Sequence, residues 1–260
     1  MKKTLIALAV AASAAVSGSA MAWTANGNGG SVDLGGTLTP QNVITPWEVK
    51  VGAAVNGLDA DIRKGDTKVN IMLKNSIPVL GIRVADAVQK TFIGGSGIVP
   101  QIDYHGAIDT NAFNGGTVPV NLNVNNAKDQ KIGTMVVDMI AYGESSWNDG
   151  AYAGKKQLFA DNAGSAFFGG LGRNESSVFS DGLFERVAAI DPEFVANYTD
   201  QNGEKGDAGV ELFDTPAVFS GFYGSGIEQG KIIKITLDQA ATGDTPIQWK
   251  ASLPITVSYA

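Results

Sequence analysis

The sequence predicts a mostly β protein carrying one partly helical insertion. Three observations predict it. Segments that alternate apolar and polar residues recur along most of the chain, and side chains of a strand alternate between its two faces. Glycine is abundant, at 33 residues of 260, which suits many short strands joined by turns. Between about Glu144 and Pro216 the alternation gives way to apolar residues at helical spacing.

The chain opens with Lys2 and Lys3, an apolar run over Thr4 to Val16, and the small-x-small triplet Ala20-Met-Ala22. That is the pattern of a secretory signal peptide over 1–22, too short and wrongly flanked for a membrane anchor. It predicts bacterial export and a mature chain starting at Trp23. No other apolar run is long enough to cross a bilayer as a helix. Without Lys2 and Lys3 there are 17 basic residues against 26 acidic ones, a formal charge of about −9. Such a balance argues against nucleic acid and anionic membranes as partners. The chain has no cysteine, so rigidity must come from packing or from a partner strand.

Residues 23–29 read as a flexible leader, and 23–39 as an extension ahead of the folded body at 40–260. Within it Val32, Leu34, Gly36 and Leu38 share one face and Ser31, Asp33, Gly35 and Thr37 the other, until Pro40. A Gly-rich strand at an N-terminus has little to hold it in its own domain and suits the sheet of another molecule. Trp47, Val49 and Val51 alternate with Glu48 and Lys50. Val69, Ile71 and Leu73 mark the next strand, and Val79 to Val84 reads as a buried one. Ile98 to Tyr104 and Val118 to Val124 follow, separated by the turn signal Asn114-Gly-Gly. Asn125 to Gln130 is a turn, and Ile132 to Tyr142 a strand. In the insertion, about 144–216, Leu158, Phe159, Ala163, Ala166 and Phe167 stand near helical spacing. A second helix is expected from a Ser180 cap to about Ile190, with Leu183, Phe184, Val187 and Ile190 as its apolar stripe. Asp191 precedes Pro192, a position that disfavours helix. Thr199 to Gly209 is polar and Gly-rich, hence an exposed loop. Ile232 to Asp238 is a clean strand. The last runs from Trp249 to Tyr259, with Trp249, Ala251, Leu253, Ile255, Val257 and Tyr259 on one face.

Chemistry finds little to work with. His105 is the only histidine, which excludes a two-histidine zinc site, and Gly106 after it marks a turn. Gly94-Gly-Ser-Gly97 and Gly224-Ser-Gly226 lack the spacing of a nucleophile elbow and the lysine of a phosphate loop, so they read as turns. Asp59, Asp61 and Asp66 lack calcium-loop spacing. No nucleophile, base and oxyanion site assembles, so no enzymatic activity, cofactor or metal is expected. Asn174-Glu-Ser176 and Asn197-Tyr-Thr199 match the glycosylation sequon. The aromatics of the insertion read first as a satellite core. Trp147 and Tyr152, set among Ser, Asn, Asp and Gly, are the ones placed to stack on a sugar face.

The signal peptide, Gly30-Ser-Val-Asp-Leu-Gly-Gly-Thr-Leu38, Trp47-Glu-Val-Lys-Val-Gly52, the stretch from Gln157-Leu-Phe-Ala-Asp161 through Phe167-Phe-Gly-Gly-Leu171, and the C-terminal Gln248 to Tyr259 together resemble the FaeG and ClpG family. These are major subunits of thin enterobacterial fimbriae and capsule-like surface antigens. The resemblance spans nearly the whole chain, is strongest at its ends, and is nearest the capsule-like branch. It implies an incomplete immunoglobulin-like sandwich, exported through the periplasm to the cell surface and completed by a neighbour's strand. Its implied partners are a periplasmic chaperone, an outer-membrane usher, identical subunits in a homopolymer, and a host glycan receptor. The donor face it implies is Val32, Leu34, Gly36 and Leu38; the acceptor side is Leu253, Ile255, Val257 and Tyr259. Two departures stand out: Ile247 replaces the glycine that many related pilins carry fourteen residues from the C-terminus, and no disulfide is possible. The sequence leaves two alternatives, a small outer-membrane β-barrel and a secreted sugar-binding module.

Overall fold

Alternation decides most of the strands. The computed structural model describes residues 25–26, 32, 34–39, 44–178 and 182–260. The signal peptide, Trp23, Pro40 and Ser180 lie outside them. The chain divides into two units, 1–42 and 43–260. In the first, 34–39 carry no helix or strand, and Val32, Leu34 and Leu38 are 86%, 92% and 97% exposed.

In the second unit the first strands are β1 (Trp47–Val51), β2 (Lys68–Met72), β3 (Ile77–Val84), β4 (Phe92–Ile93), β5 (Pro100–Asp103) and β6 (Thr117–Asn125). The long β7 (Lys131–Asn148) turns into β8 (Ala153–Gln157). After the helices α1 (Glu175–Val178) and α2 (Leu183–Ile190) come β9 (Glu204–Lys205), β10 (Val218–Ile227), β11 (Ile232–Leu237) and β12 (Thr256–Tyr259). One sheet runs β1-β3-β10-β7-β11-β2, with β4, β6, β8 and β9 attached, and does not close on itself; β5 and β12 pair separately. An open sheet sets the barrel alternative aside and is consistent with an immunoglobulin-like sandwich.

β7 is the spine. β6 and β10 both pair with Ile140, so they occupy opposite edges, and β11 continues along the β10 edge at Gly133–Val136. Leu80, Ile82, Val84, Val137, Met139 and Tyr223 of this sheet share one buried core with Ile102 and Tyr104. Across that core Tyr104 Oη lies 2.9 Å from Tyr223 Oη and 2.8 Å from Ser225 Oγ. On the sheet's other face, Leu183, Val187 and Ile190 of α2, with Phe194, pack on Ile140, Tyr142 and Phe222. This is the expected satellite core, although Phe167, Phe213 and Phe219 belong to the main one.

Several expectations fail for physical reasons. No helix forms over 157–168. Leu158 bridges to Gly209, Ala166 N–H donates to Glu211 O at 2.8 Å and Phe167 N–H to Pro100 O at 2.7 Å. Cross-chain bonds thus take the donors a helix would use. Helix α2 starts after Gly182, at φ +71°, with no side-chain cap. The Gly224-Ser-Gly226 turn is instead the middle of β10, between β3 and β7. Strand β7 runs past Tyr142 to Asn148, and the strand expected over 98–104 shrinks to β5. The last strand is hydrogen-bonded as a ladder only over β12, though its burial alternates from Trp249 to Tyr259.

Candidate functional site

The C-terminal segment is tied down along one edge only. Lys250 exchanges two backbone hydrogen bonds with Asn125, at 2.9 and 2.8 Å, and Ala260 exchanges two with Val99, at 3.0 and 3.2 Å. In an antiparallel ladder, residues alternate between bonding left and bonding right. Lys250 and the even-numbered residues of β12 therefore spend their N–H and C=O on this edge, and the odd-numbered ones point theirs the other way. Ala251, Leu253 and Ile255 make no backbone hydrogen bond among the described residues. Their side chains, with Trp249, Val257 and Tyr259, are half-buried against the main core, while residues 250 to 260 at even positions are exposed.

A second open edge faces the first. Strand β1 pairs with β3 on one side, and Gly52 N–H donates to Val79 O at 2.9 Å. From there residues 53–62 make no backbone hydrogen bond among the described residues. The two segments are pinned at both ends. Trp47 Nε1 donates to Ile98 O at 2.6 Å, beside the Val99 that holds Ala260. Trp47 itself is fixed by edge contacts to Phe92 and Phe167, 4.9 and 5.9 Å between ring centres. At the other end, Asp59–Ile62 and Ile247–Trp249 line one cavity of about 530 Å³, floored by Val69, Ile71, Ile235 and Leu237. Residues 47–62 thus run antiparallel to 249–260, with a slot between them. From Trp249 to Tyr259 the slot is about 34 Å long at 3.4 Å per residue.

Burial along β1 fits a missing layer. Val49 and Val51 lie opposite Ile82 and Leu80, which are fully buried, yet they are 41% and 57% exposed. Residues directly opposite share a sheet face, so both valines face the core side without being covered. These flank residues, with Val55 and the half-buried Leu58, are absent from the sequence-derived acceptor set. Their signal was the apolar spacing of Val55, Leu58 and Ile62 across a stretch with no strand-like alternation.

The other predicted residues stand apart from the slot or at its rim. His105 is an exposed turn residue at φ +51°, with Nε2 2.8 Å from Thr256 Oγ1 on the outer face of β12. Asp59 and Asp61 sit at the cavity rim, and no group of three or more acidic or histidine side chains among the described residues could hold a metal. Asn197 is buried and donates to Val84 O at 2.7 Å, so that sequon is inaccessible. Trp147 is half-buried, its ring packed over Gly154 with Lys156 Nζ 5.1 Å from the ring centre. Tyr152 is 48% exposed, 6.5 Å from Trp147 between ring centres. Lys156 also lines a cavity of about 460 Å³ on the insertion, with Tyr142, Phe184, Tyr198, Glu144 and Lys155. Glu144 there accepts hydrogen bonds from the hydroxyls of Tyr142 and Tyr198. Burial first, then the carboxylate's charge, push both phenols well above their ordinary range.

The family model described as "Fimbrial, major and minor subunit" matches residues 1–260. K88 fimbrial protein AC of Escherichia coli is 34% identical to this chain over alignments that cover all of both. K88 fimbrial protein AB of the same species is 33% identical and F41 fimbrial protein 28%, each again over full lengths. The chain belongs to the family of fimbrial major and minor subunits.

Proposed function

We propose that this fimbrial subunit polymerises by donor-strand exchange: residues 32–38 of one copy fill the slot of the next, replacing the strand of a periplasmic chaperone. A periplasmic chaperone covers the slot first, and an outer-membrane usher feeds the subunits into the fibre. The carrying observation is the pair of facing strand edges whose backbone groups lack partners among the described residues, above a half-covered apolar face. Val32, Leu34 and Leu38, all exposed, supply the matching apolar side chains. Burying them is worth about 5–8 kcal/mol as an upper figure, and each backbone bond adds about 1 kcal/mol. Left open, the same edges are an aggregation hazard, which explains the need for a chaperone.

Imaging of surface material from cells carrying the assembly system tests this. Deleting 23–39 is expected to leave chaperone-bound monomer and no fibres. Normal fibres from the deletion overturn the proposal.

Adhesion to host glycans is the second part of the reading. It is supported by the exposed Tyr152 ring near Trp147 and by the neighbouring cavity, where aromatic walls meet Glu144 and Lys155. Sugars bind through apolar faces on aromatics with polar groups on their hydroxyls. Tyr152→Ala is expected to lower fibre binding to glycan-bearing cells at least tenfold with fibre yield unchanged. Unaltered binding removes Tyr152 from the receptor surface.

A further inference from the structure

Resting on donor-strand exchange for the fibre itself, we infer that the free edge of β2 joins two copies of this chain in fibres that point in opposite directions, so that the surface coats of facing cells pair with each other. β2 joins β11 on one side, and no strand among the described residues pairs with its other edge. Leu237 N–H donates to Thr67 O at 2.7 Å, and Leu73 N–H to Lys231 O at 2.9 Å. In an antiparallel ladder alternate residues bond the same neighbour. The odd-numbered residues of β2 therefore bond β11, while Lys68, Asn70 and Met72 point their N–H and C=O groups outward. All three side chains are exposed, Met72 at 67%.

Lysines guard many such edges, and here Lys68 and Lys74 are the guards. They exclude most pairings of β2 with a second β2, because like charges directly opposite are unfavourable. Parallel pairing in register sets Lys68 against Lys68. Antiparallel pairing centred on Lys68 or on Ile71 also sets lysine against lysine, and centring on Val69 or Met72 runs each strand past the end of the other. Centred on Asn70, the pairing has none of these faults. Asn70 meets the partner's Asn70, amide to amide. Lys68 meets the partner's Met72, whose exposed thioether, beside Ile232, covers the lysine stem. Beyond the ladder, Lys74 comes beside the partner's Asp66 at both ends, and both residues are exposed. On the core face Val69 meets the partner's Ile71. Lys68, Asn70 and Met72 of the two copies exchange about six backbone hydrogen bonds. The edge is thus self-complementary about a two-fold axis.

That axis stands normal to the sheet, so it reverses every direction within the sheet. The slot lies along the same sheet: Lys250 bonds Asn125 of β6, and β6, β7, β11 and β2 follow one another. A fibre that grows along its slots therefore meets a fibre running the other way. Fibres rooted on one cell run the same way, and those of two facing cells run oppositely. One five-residue edge makes a weak contact, and repetition along the fibre makes it strong.

The chain has no cysteine of its own, so single cysteines read the contact. Cells bearing the fibres are expected to settle out of suspension together. Settled cells bearing Asn70→Cys fibres, once oxidised, are expected to release disulfide-linked subunit dimers on denaturing electrophoresis, since the paired Cα atoms stand about 5.5 Å apart. Lys68→Cys and Met72→Cys fibres are expected to give about a tenth as much or less, because each of these positions lies ~14 Å along the ladder from its own copy. Linking at 68 or 72 as strong as at 70, or no linking at 70, overturns the inference. Cells bearing Lys74→Asp fibres are expected to settle about tenfold more slowly, and the swapped pair Asp66→Lys/Lys74→Asp to settle as the unaltered cells do. Cells that stay suspended with unaltered fibres, or that settle equally with Lys74→Asp, overturn it too. Any of these failures in fibres that need residues 23–39 leaves donor exchange standing. Fibres that form without residues 23–39 remove donor exchange and with it the opposed-fibre geometry, and the cysteine scan alone then decides whether β2 pairs with β2.

Discussion

Two tyrosine hydroxyls meet in the middle of the core, and they carry a measurable consequence. Tyr104 and Tyr223 bond each other and share Ser225, and Tyr223 also donates to Gly170 O at 3.1 Å. Removing the Tyr223 hydroxyl leaves that buried carbonyl unpaired, which costs about 1–3 kcal/mol. Tyr223→Phe is therefore expected to lower the guanidinium midpoint of the fibre-bound domain while leaving donor pairing intact. Burial pushes the Tyr104 phenol up to about 12, with its bonds to Ser225 and Tyr223 pulling the other way. In the unfolded chain a tyrosine titrates near 10. Below pH 10 both states keep the proton and stability is full. Between about pH 10 and 12 the unfolded state loses it first, so stability falls as pH rises. Unfolding midpoints across pH 9–12 are expected to be flat and then to drop, less steeply in Tyr104→Phe. At the same scale, Leu34→Asp is expected to cut fibre yield far more than Thr37→Asp, because only the first puts charge on the donor's apolar face. Equal losses would remove the assignment of faces.

Strand β10 shows how an element can escape sequence reading. Its segment Val218-Phe-Ser-Gly-Phe-Tyr-Gly-Ser-Gly-Ile227 has no alternation of apolar with polar, yet it is the central strand and almost wholly buried. Gly224 and Gly226 lie under α2 and the turn after it, where a side chain would not fit. A Cβ at Gly224 would stand 2.3 Å from Val187 Cγ1, and one at Gly81 2.1 Å from the Phe194 ring. Gly224→Val is thus expected to cost about 1–3 kcal/mol by overpacking, and to raise hydrogen exchange in 183–190 before it affects β7. Strands with one wet face, such as β6 and β11, were legible in the sequence because water enforces their period. β10 was not, because both its faces are covered and small residues carry the packing. The helix expected over 157–168 failed for the converse reason. Its apolar spacing was real, but Gly164, at φ +95°, and Phe167, at φ +61°, break the backbone path. Partners from 209–211 and from Pro100 then take the freed N–H groups. The stripe of α2 was legible because Leu183, Val187 and Ile190 meet one surface; its start was not, since Gly182 caps it without a side chain.

At the scale of the molecule, β1 at the edge of the large sheet and the last segment, whose β12 pairs with β5 in a separate sheet, present two open edges. The alternation from Trp249 to Tyr259 was readable, and it survives as alternating burial. The other flank was not, because residues 53–62 make no ladder and carry no period; only the structure sets them across from the last strand. Among the described residues, neither flank's inward backbone groups find a partner. Val49 and Val51 stay open on a face whose neighbours Ile82 and Leu80 are sealed. In the proposed exchange, the subunit stores its association energy as uncovered sheet and one strand from a neighbour releases it. Amide hydrogen exchange of Ala251, Leu253 and Ile255 in assembled fibres tests that most directly. These amides are expected to exchange at least a thousandfold more slowly than exposed loop amides of the same fibres, as ladder donors do. Exchange at loop rates in intact fibres would contradict the claim that a neighbour's strand completes the sheet.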